Sequence, residues 1–203
     1  MYFIGYDLGS SSVKASLLDA ETNREICNAV YPLTEMKIQS PHPGWAEQDP
    51  DLWWEYIMRT THTLLNQSKI DPNHIAGIGI SYQMHGLVIV DHDFQPLRPA
   101  IIWCDSRAIE VGENATSHIG FQRSLEHHLN TPGNFTASKL RWVHDNEPEL
   151  YKRIAAFMLP GDYIVTKMTG TVSSTISGYT EGILWDFKSH CTSDIMLDAM
   201  DID

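Results

Sequence analysis

Residues 7–14, Asp7-Leu8-Gly9-Ser10-Ser11-Ser12-Val13-Lys14, join two apolar runs through a very short polar turn, and the arrangement of the first strands follows from this turn. Residues 2–7 before the turn and residues 13–18 after it are rich in apolar and aromatic side chains, which is typical of strands. A second turn at residues 20–23 leads into a third such run over residues 24–33. Short turns connect antiparallel neighbours, so the sequence predicts three leading antiparallel strands in one sheet.

The same turn carries the groups that hold a nucleotide's terminal phosphates. Gly9 lets the backbone turn tightly and expose N–H groups, and the serines after it add hydroxyl donors. Lys14 adds a positive charge, and the Asp7 carboxylate at the strand end can hold hydrated Mg²⁺. An ordinary polar β-turn uses the same residue types, so the turn alone leaves both interpretations open. The candidate nucleotide-binding residues are Gly9, Ser10, Ser11, Ser12 and Lys14, with Asp7 as the catalytic and metal-binding candidate.

Beyond the hairpins, strands and helices follow one another along the chain. Asp49 as N-cap and Pro50 in the first turn predict a helix, whose apolar residues recur with a period of 3.6. Further strands are predicted over residues 75–81, 87–90, 100–103 and 155–159, and further helices over 106–117, 121–129, 136–146 and 162–168. This order predicts a mixed α/β layer fold with helices on the faces of the sheet, forming one domain over residues 1–203.

The composition narrows the function classes. The chain has 203 residues, of which 42% are hydrophobic, so it can bury a sizeable core. Its net charge of -12 argues against binding to nucleic acid or to an anionic membrane. The three cysteines are far apart, form no CxxC pair and follow no secretory leader. We therefore expect reduced thiols in a cytoplasmic protein.

A series of motifs, in order along the whole chain, resembles the FGGY family of carbohydrate kinases in its xylulokinase branch. The Asp-Leu-Gly-Ser-Ser strand end also resembles the start of the wider superfamily of sugar kinases, actin and Hsp70. The motifs are residues 41–50 (PHPGWAEQDP), 53–54 (WW), 83–86 (QMHG), 98–103 (RPAIIW), 105–107 (DSR), 139–142 (KLRW), 159–163 (LPGDY) and 169–170 (TG). The resemblance implies an RNase H-like amino-terminal domain, ATP and Mg²⁺ as cofactors, and phosphorylation of D-xylulose to D-xylulose 5-phosphate.

The resemblance also implies where the sugar binds. Met84 and His85 lie where xylulokinases contact the ketose, with Gln83 beside them, and Trp103 and Asp105 are further candidate contacts. The residues alone favour a structural interpretation of two of these positions, with His85 capped by backbone in a turn and Trp103 packed in the core, and they leave Asp105 open as a helix cap.

Two positions depart from the relatives' usual pattern. Cys104 stands where relatives often have Asn, and relatives commonly carry an Asp near Thr175.

Other features are interpreted as structural. We predict that Glu126, His127 and His128 form a solvated helix face rather than a metal site, because adjacent helical residues point about 100° apart. We also predict that Asp162 caps the helix that follows it.

The resemblance places two further parts of the kinase beyond residue 203. These are the general-base Asp of a Gly-Asp-Asn motif and the ATP-binding second domain. The chain alone is therefore expected to be inactive, and its partners are a small-molecule sugar, the rest of its own kinase polypeptide and, as an open option, a second copy. Two alternatives remain, namely a kinase of another ketose or polyol, and a non-catalytic sugar-binding or interaction module.

Overall fold

A computed structural model describes residues 1–202 of the chain. The strands are β1 (Tyr2–Leu8), β2 (Val13–Asp19), β3 (Arg24–Tyr31), β4 (Glu47–Gln48), β5 (Ile75–Tyr82), β6 (Val88–Val90), β7 (Ala100–Ile101), β8 (Ala156–Met158), β9 (Trp185–Asp186) and β10 (Cys191–Thr192). The helices are α1 (Pro50–Ser68), α2 (Ile109–Ile119), α3 (Phe121–His128), α4 (Thr136–Asn146), α5 (Pro148–Tyr151), α6 (Pro160–Thr169), α7 (Ile176–Glu181) and α8 (Asp194–Met200), and a 3₁₀ turn spans Pro72–His74. Two compact units result: a sheet unit of residues 1–38 and 49–83, and a helical unit of residues 39–48 and the chain from residue 84.

The sheet unit contains a four-stranded mixed sheet with the order β3-β2-β1-β5. The three leading strands pair antiparallel, and β5 adds to β1 in parallel. The predicted hairpins and the mixed sheet are therefore confirmed. Asp7 pairs with Lys14 in the register of the first hairpin, and the Gly9 N–H donates to the Ser12 carbonyl at 3.0 Å to close the turn.

One face of this sheet packs against α1. Alternate residues of β1 and β2 are buried, as expected for strands with one face in the core. The helix begins as predicted: Asp49 is the N-cap and accepts a hydrogen bond from the Asp51 N–H, and Pro50 is its first residue. The buried residues of this core are Ile4, Tyr6, Leu8, Val13, Ala15 and Leu17 from the strands, with Trp53, Ile57 and Leu64 from the helix.

The helical unit is built on short antiparallel strand pairs, β4–β7, β6–β8 and β9–β10. The third predicted strand beyond the hairpins, residues 100–103, ends early at Ile101, and the helix expected from residue 106 begins only at Ile109. The reason lies at Asp105, whose carboxylate accepts a hydrogen bond from the Arg107 N–H at 2.9 Å. Such a local bond favours a turn over a helix.

The prediction of a solvated face at the end of α3 is wrong for both histidines. His128 is buried, and its Nε2 lies 2.6 Å from Ser193 Oγ at the start of α8. His127 Nδ1 lies 2.8 Å from the Asp186 carboxylate of β9. Burial opposes ionisation of Asp186, but hydrogen bonds from His127 and nearby backbone N–H groups outweigh it, so the pKa of Asp186 lies well below its usual value. These histidines therefore hold α3 against later elements of the chain.

Among residues 1–202, no helix combines the length and the apolar character needed to cross a membrane.

Candidate functional site

The candidate sugar-contacting residues of the helical unit are brought together by one antiparallel bridge. Leu87 N–H donates to the Ile101 carbonyl at 2.9 Å, and Ile101 N–H donates to the Leu87 carbonyl at 3.1 Å. In an antiparallel pair, the residues before one partner lie beside the residues after the other. The loop at residues 84–86 therefore lies next to the loop at residues 102–104.

The two loops present apolar side chains to solvent. The exposed fraction is 52% for Met84 and 47% for Trp103. The alternative that Trp103 is a core residue is therefore not what the structure shows. The loop at residues 84–86 packs closely against Pro160 at Gly86. A Cβ at this position would lie 2.5 Å from the Pro160 ring, so any larger residue would force the loop or the proline to move.

Gln83 lies at the end of β5 in the sheet unit. Its N–H donates to the Leu8 carbonyl at 2.8 Å, and its side chain is mostly buried.

His85 adopts an unusual backbone conformation, with φ of 55° in the left-handed region. Non-glycine residues there are strained by a clash of the Cβ, and surrounding contacts must stabilise them. The ring Nδ1 lies 3.1 Å from Glu181 Oε2 and 3.3 Å from the Glu181 carbonyl oxygen. Burial lowers the pKa of His85, partly offset by the Glu181 charge, so the neutral imidazole dominates at pH 7.

A buried lysine stabilises this strained loop. The Lys139 side chain of α4 is fully buried, and its Nζ donates to the His85 carbonyl at 2.7 Å and to the Asn134 carbonyl at 2.9 Å. The Asn134 amide in turn donates to the Asp105 carbonyl. Burial lowers the pKa of Lys139 from 10.5 to about 8, against the opposing influence of Asp105 and Cys104.

This lysine predicts a pH dependence of stability. Between about pH 8 and 10.5 the unfolded chain binds a proton that folded Lys139 has lost, so the free energy of unfolding rises with pH in that window. The full rise is on the order of 3 kcal/mol, and the neutral amine still donates to both carbonyls. We expect the difference in unfolding free energy between wild type and Lys139→Met to increase across the window.

Denaturant unfolding at pH 7, 8, 9 and 10 measures that difference. Lys152→Met is the control, because Lys152 is exposed and pairs with Glu149 on the surface. A wild-type minus Lys139→Met difference that stays flat from pH 7 to 10 would contradict the prediction.

Asp105 lies in a buried cluster of charges. Its Oδ2 accepts from the Ala46 N–H and from Arg107 Nη2, each at 2.6 Å. Arg107 Nη2 also lies 2.7 Å from Glu47 Oε1, and its guanidinium stacks over the Trp45 ring at 3.7 Å. The predicted sugar contact of Asp105 thus falls on a carboxylate that is fully covered and already bonded.

The cluster extends outward through a second arginine. Arg98 pairs with Glu47 on one side and with Glu147 Oε1 at 2.5 Å on the other. Trp45 also meets Trp142 edge to face, with ring centroids 5.2 Å apart. The motif at residues 41–50 therefore anchors the one at residues 105–107 within the helical unit.

The first hairpin of the sheet unit presents its polar groups openly. Asp7 Oδ2 lies 3.1 Å from Lys14 Nζ, and both side chains are at least half exposed. The turn N–H of Gly9 bonds to Ser12 rather than to Asp7. In the structure, the Asp7 carboxylate therefore pairs with the Lys14 ammonium group.

The remaining predicted positions have structural partners. Asp162 lies in the first turn of α6 rather than at its N-cap, which is Leu159, and its carboxylate accepts a hydrogen bond from the Leu159 N–H, so it caps the helix from within the first turn. Its carboxylate accepts from Ser174 Oγ at 2.8 Å, and burial raises its pKa. Thr175 caps α7 by accepting from the Gly178 N–H at 3.0 Å. Cys104 is exposed, and partial burial raises the pKa of its thiol.

Comparison with known proteins decides the family. The sequence model of the N-terminal domain of the FGGY family of carbohydrate kinases matches residues 2–203. The chain belongs to the FGGY family of carbohydrate kinases. The resemblance drawn from the motifs is therefore confirmed.

Individual relatives carry the name of one activity. The chain is 37% identical over 201 residues to the xylulose kinase of Escherichia coli (strain K12), which covers 98% of this chain and 40% of that protein. A crystal structure of a xyloylose kinase from Brucella ovis superimposes with a TM-score of 0.88 at 32% identity, covering 98% of this chain and 41% of that one. The crystal structure of xylulose kinase from Rhodospirillum rubrum superimposes with a TM-score of 0.88 at 25% identity, covering 100% of this chain and 41% of that one.

These likenesses confirm the RNase H-like sugar-kinase fold. The FGGY domain of this chain spans about 40% of the length of the relatives it matches.

Two residues around His85 were missed by reasoning from the sequence. Lys139 had a signal, since it shares a helical stripe with the buried Thr136, Leu140 and Val143. A lysine in such a stripe is a buried charge that needs partners. Glu181 had no local signal, because it is 96 residues from His85 in the chain.

Proposed function

We propose that this FGGY domain is the sugar-binding part of an ATP-dependent kinase that converts D-xylulose to D-xylulose 5-phosphate. The observation that carries the proposal is 37% identity to a xylulose kinase across 98% of the chain. The exposed Met84 and Trp103 around a neutral His85 support it, because sugars bind through apolar C–H faces and hydroxyl groups.

Within this proposal each candidate residue has a role. His85 bonds a sugar hydroxyl, Met84 and Trp103 pack against the sugar, and Gln83, which precedes Met84 in the chain, is a further candidate contact. Asp105 acts as a positioning residue, because its carboxylate is occupied by Ala46 and Arg107.

The first hairpin is proposed as the nucleotide site. Its tight Gly9 turn, its serines and the exposed Lys14 suit the phosphates of ATP, and the exposed Asp7 suits Mg²⁺ held through water. When bound, Mg²⁺ supplies charge that stabilises the transferring phosphoryl group. The residues proposed there are Asp7, Gly9, Ser10, Ser11, Ser12 and Lys14.

His85→Ala tests the sugar contact. Loss of the imidazole leaves a sugar hydroxyl without its partner, which typically costs about 1–3 kcal/mol. In a polypeptide of the relatives' full length we expect kcat/KM for D-xylulose to fall roughly tenfold to hundredfold, with little change in KM for ATP. A coupled assay of ADP formation measures both.

The exposed His92 provides the control variant, His92→Ala, which should leave both constants unchanged. Unaltered ketose efficiency in His85→Ala, together with a lower melting temperature, would show that His85 is only a structural residue. A panel of ketoses and polyols in the same assay separates D-xylulose from the alternative substrates.

A further inference from the structure

Two atoms of Glu181 lie near the same ring nitrogen of His85: the backbone carbonyl oxygen is hydrogen-bonded to it, and the carboxylate makes an ion-pair contact without a hydrogen bond. Its carboxylate Oε2 lies 3.1 Å and its backbone carbonyl oxygen 3.3 Å from Nδ1. Because the bonded carbonyl oxygen can only accept, and the carboxylate charge lies near the same nitrogen, the hydrogen of a neutral imidazole belongs on Nδ1. The other nitrogen, Nε2, then carries a lone pair and is a hydrogen-bond acceptor.

The contacts around His85 fix the ring and the backbone beneath it. The Phe135 ring meets the imidazole edge to face, with centroids 4.1 Å apart. Lys139 Nζ donates a hydrogen bond to the His85 carbonyl. The charged groups that influence the imidazole are Glu181, which favours its protonation, and Lys139, which opposes it. These contacts restrict the orientation of the His85 ring, so Nε2 points in one fixed direction.

We propose that Glu181 is a positioning residue that keeps His85 in its Nδ1–H form, so that Nε2 accepts a hydrogen bond from a sugar hydroxyl. The inference rests on the proposed sugar contact of His85 and makes it specific. A ketose carbonyl oxygen can only accept, so it cannot bond to this nitrogen. His85 therefore recognises a hydroxyl group and not the carbonyl of the substrate.

The tautomer is measured on the 203-residue chain without any sugar. Nitrogen-15 NMR at neutral pH should show the Nδ1 of His85 carrying the proton and Nε2 without one. Glu181→Gln keeps the backbone carbonyl and the shape of the side chain but loses its charge, so it should shift the tautomer less than Glu181→Ala does. Glu181→Ala keeps the backbone carbonyl but removes the charge near Nδ1, so the Nε2–H form should gain population and the pKa of His85 should fall further, because the carboxylate that favours imidazolium is gone.

Sugar affinity is measured on the same variants by calorimetric titration with D-xylulose. We expect Glu181→Ala to weaken binding about threefold to tenfold, and Glu181→Gln less than about threefold. Adding Glu181→Ala to His85→Ala should weaken binding no further, because the carboxylate acts through the ring. Glu149→Ala, at an exposed glutamate of α5, is the control and should bind as wild type does.

The outcomes separate the two proposals. If His85→Ala binds D-xylulose as tightly as wild type, the sugar contact of the proposed function is wrong, whatever the tautomer. If His85→Ala weakens binding but Glu181→Ala changes neither affinity nor tautomer, the positioning role of Glu181 is overturned. An Nε2–H tautomer in the wild-type chain would overturn it as well.

Discussion

Replacing Asp105 by alanine is expected to lower the free energy of unfolding by about 3–5 kcal/mol, the usual cost of breaking a buried ion pair from one side. The carboxylate accepts from the Ala46 N–H and from Arg107, whose side chain is 1% exposed. Without Asp105, Glu47 is the remaining acidic partner of this arginine. The Ala46 N–H also loses its acceptor, which adds an unsatisfied buried donor.

Denaturant unfolding of Asp105→Ala, Asp105→Asn and wild type measures this loss. The asparagine variant keeps one acceptor oxygen, so we expect it to lose roughly half as much stability. Asp93→Ala is the matched control, because Asp93 is exposed in a loop and such substitutions stay within about 0.5 kcal/mol.

A variant that keeps its stability but loses sugar binding would give Asp105 a different role. If Asp105→Ala unfolds like wild type but loses D-xylulose binding, the carboxylate contacts the sugar directly and the buried cluster is unimportant.

The elements that sequence reasoning predicted well are those specified by neighbouring residues. The first hairpin follows from the Gly9 turn between two apolar runs, and α1 follows from Asp49-Pro50 and its apolar stripe. Helix caps and tight turns depend on a few adjacent side chains, so the chain carries the information locally.

The parts that the sequence did not reveal depend on long-range contacts. Asp105 is 59 residues from Ala46, and Glu181 is 96 residues from His85. From the sequence, Asp105 is interpreted as a helix cap or a sugar ligand, because the sequence does not show that Arg107 and the loop at Ala46 cover its carboxylate. The family motifs were correctly recognised, but the structure shows that the one at residues 41–50 bonds to the one at residues 105–107 within the helical unit.

Replacing Asp7 by asparagine is expected to reduce turnover at least about a hundredfold in a polypeptide of the relatives' full length. The amide keeps the shape of the carboxylate but loses the charge that our proposal assigns to Mg²⁺. Magnesium sites depend on hard anionic oxygen, and losing one electrostatic catalytic group typically costs a factor of this size. We also expect a weakened response of turnover to Mg²⁺ concentration.

The fold of this variant should survive. The partner that Asp7 loses is Lys14, and the pair is at least half exposed, so it contributes less than about 1 kcal/mol. The turn itself is closed by the Gly9 N–H and the Ser12 carbonyl, which the substitution does not touch. A near-native melting temperature would therefore accompany the lost turnover.

Two further variants assign the loss to the metal rather than to the hairpin. Asp19→Asn alters a partly exposed aspartate at the next turn, where it accepts from the Glu21 N–H, and should turn over normally. Lys14→Met removes the same ion pair from its other side, so it should weaken ATP binding while leaving the Mg²⁺ titration unchanged. If Asp7→Asn behaves like Lys14→Met, the aspartate acts only by placing the lysine. If Asp7→Asn keeps normal turnover and a normal Mg²⁺ titration, Asp7 is only a hairpin residue and the nucleotide site must be sought elsewhere.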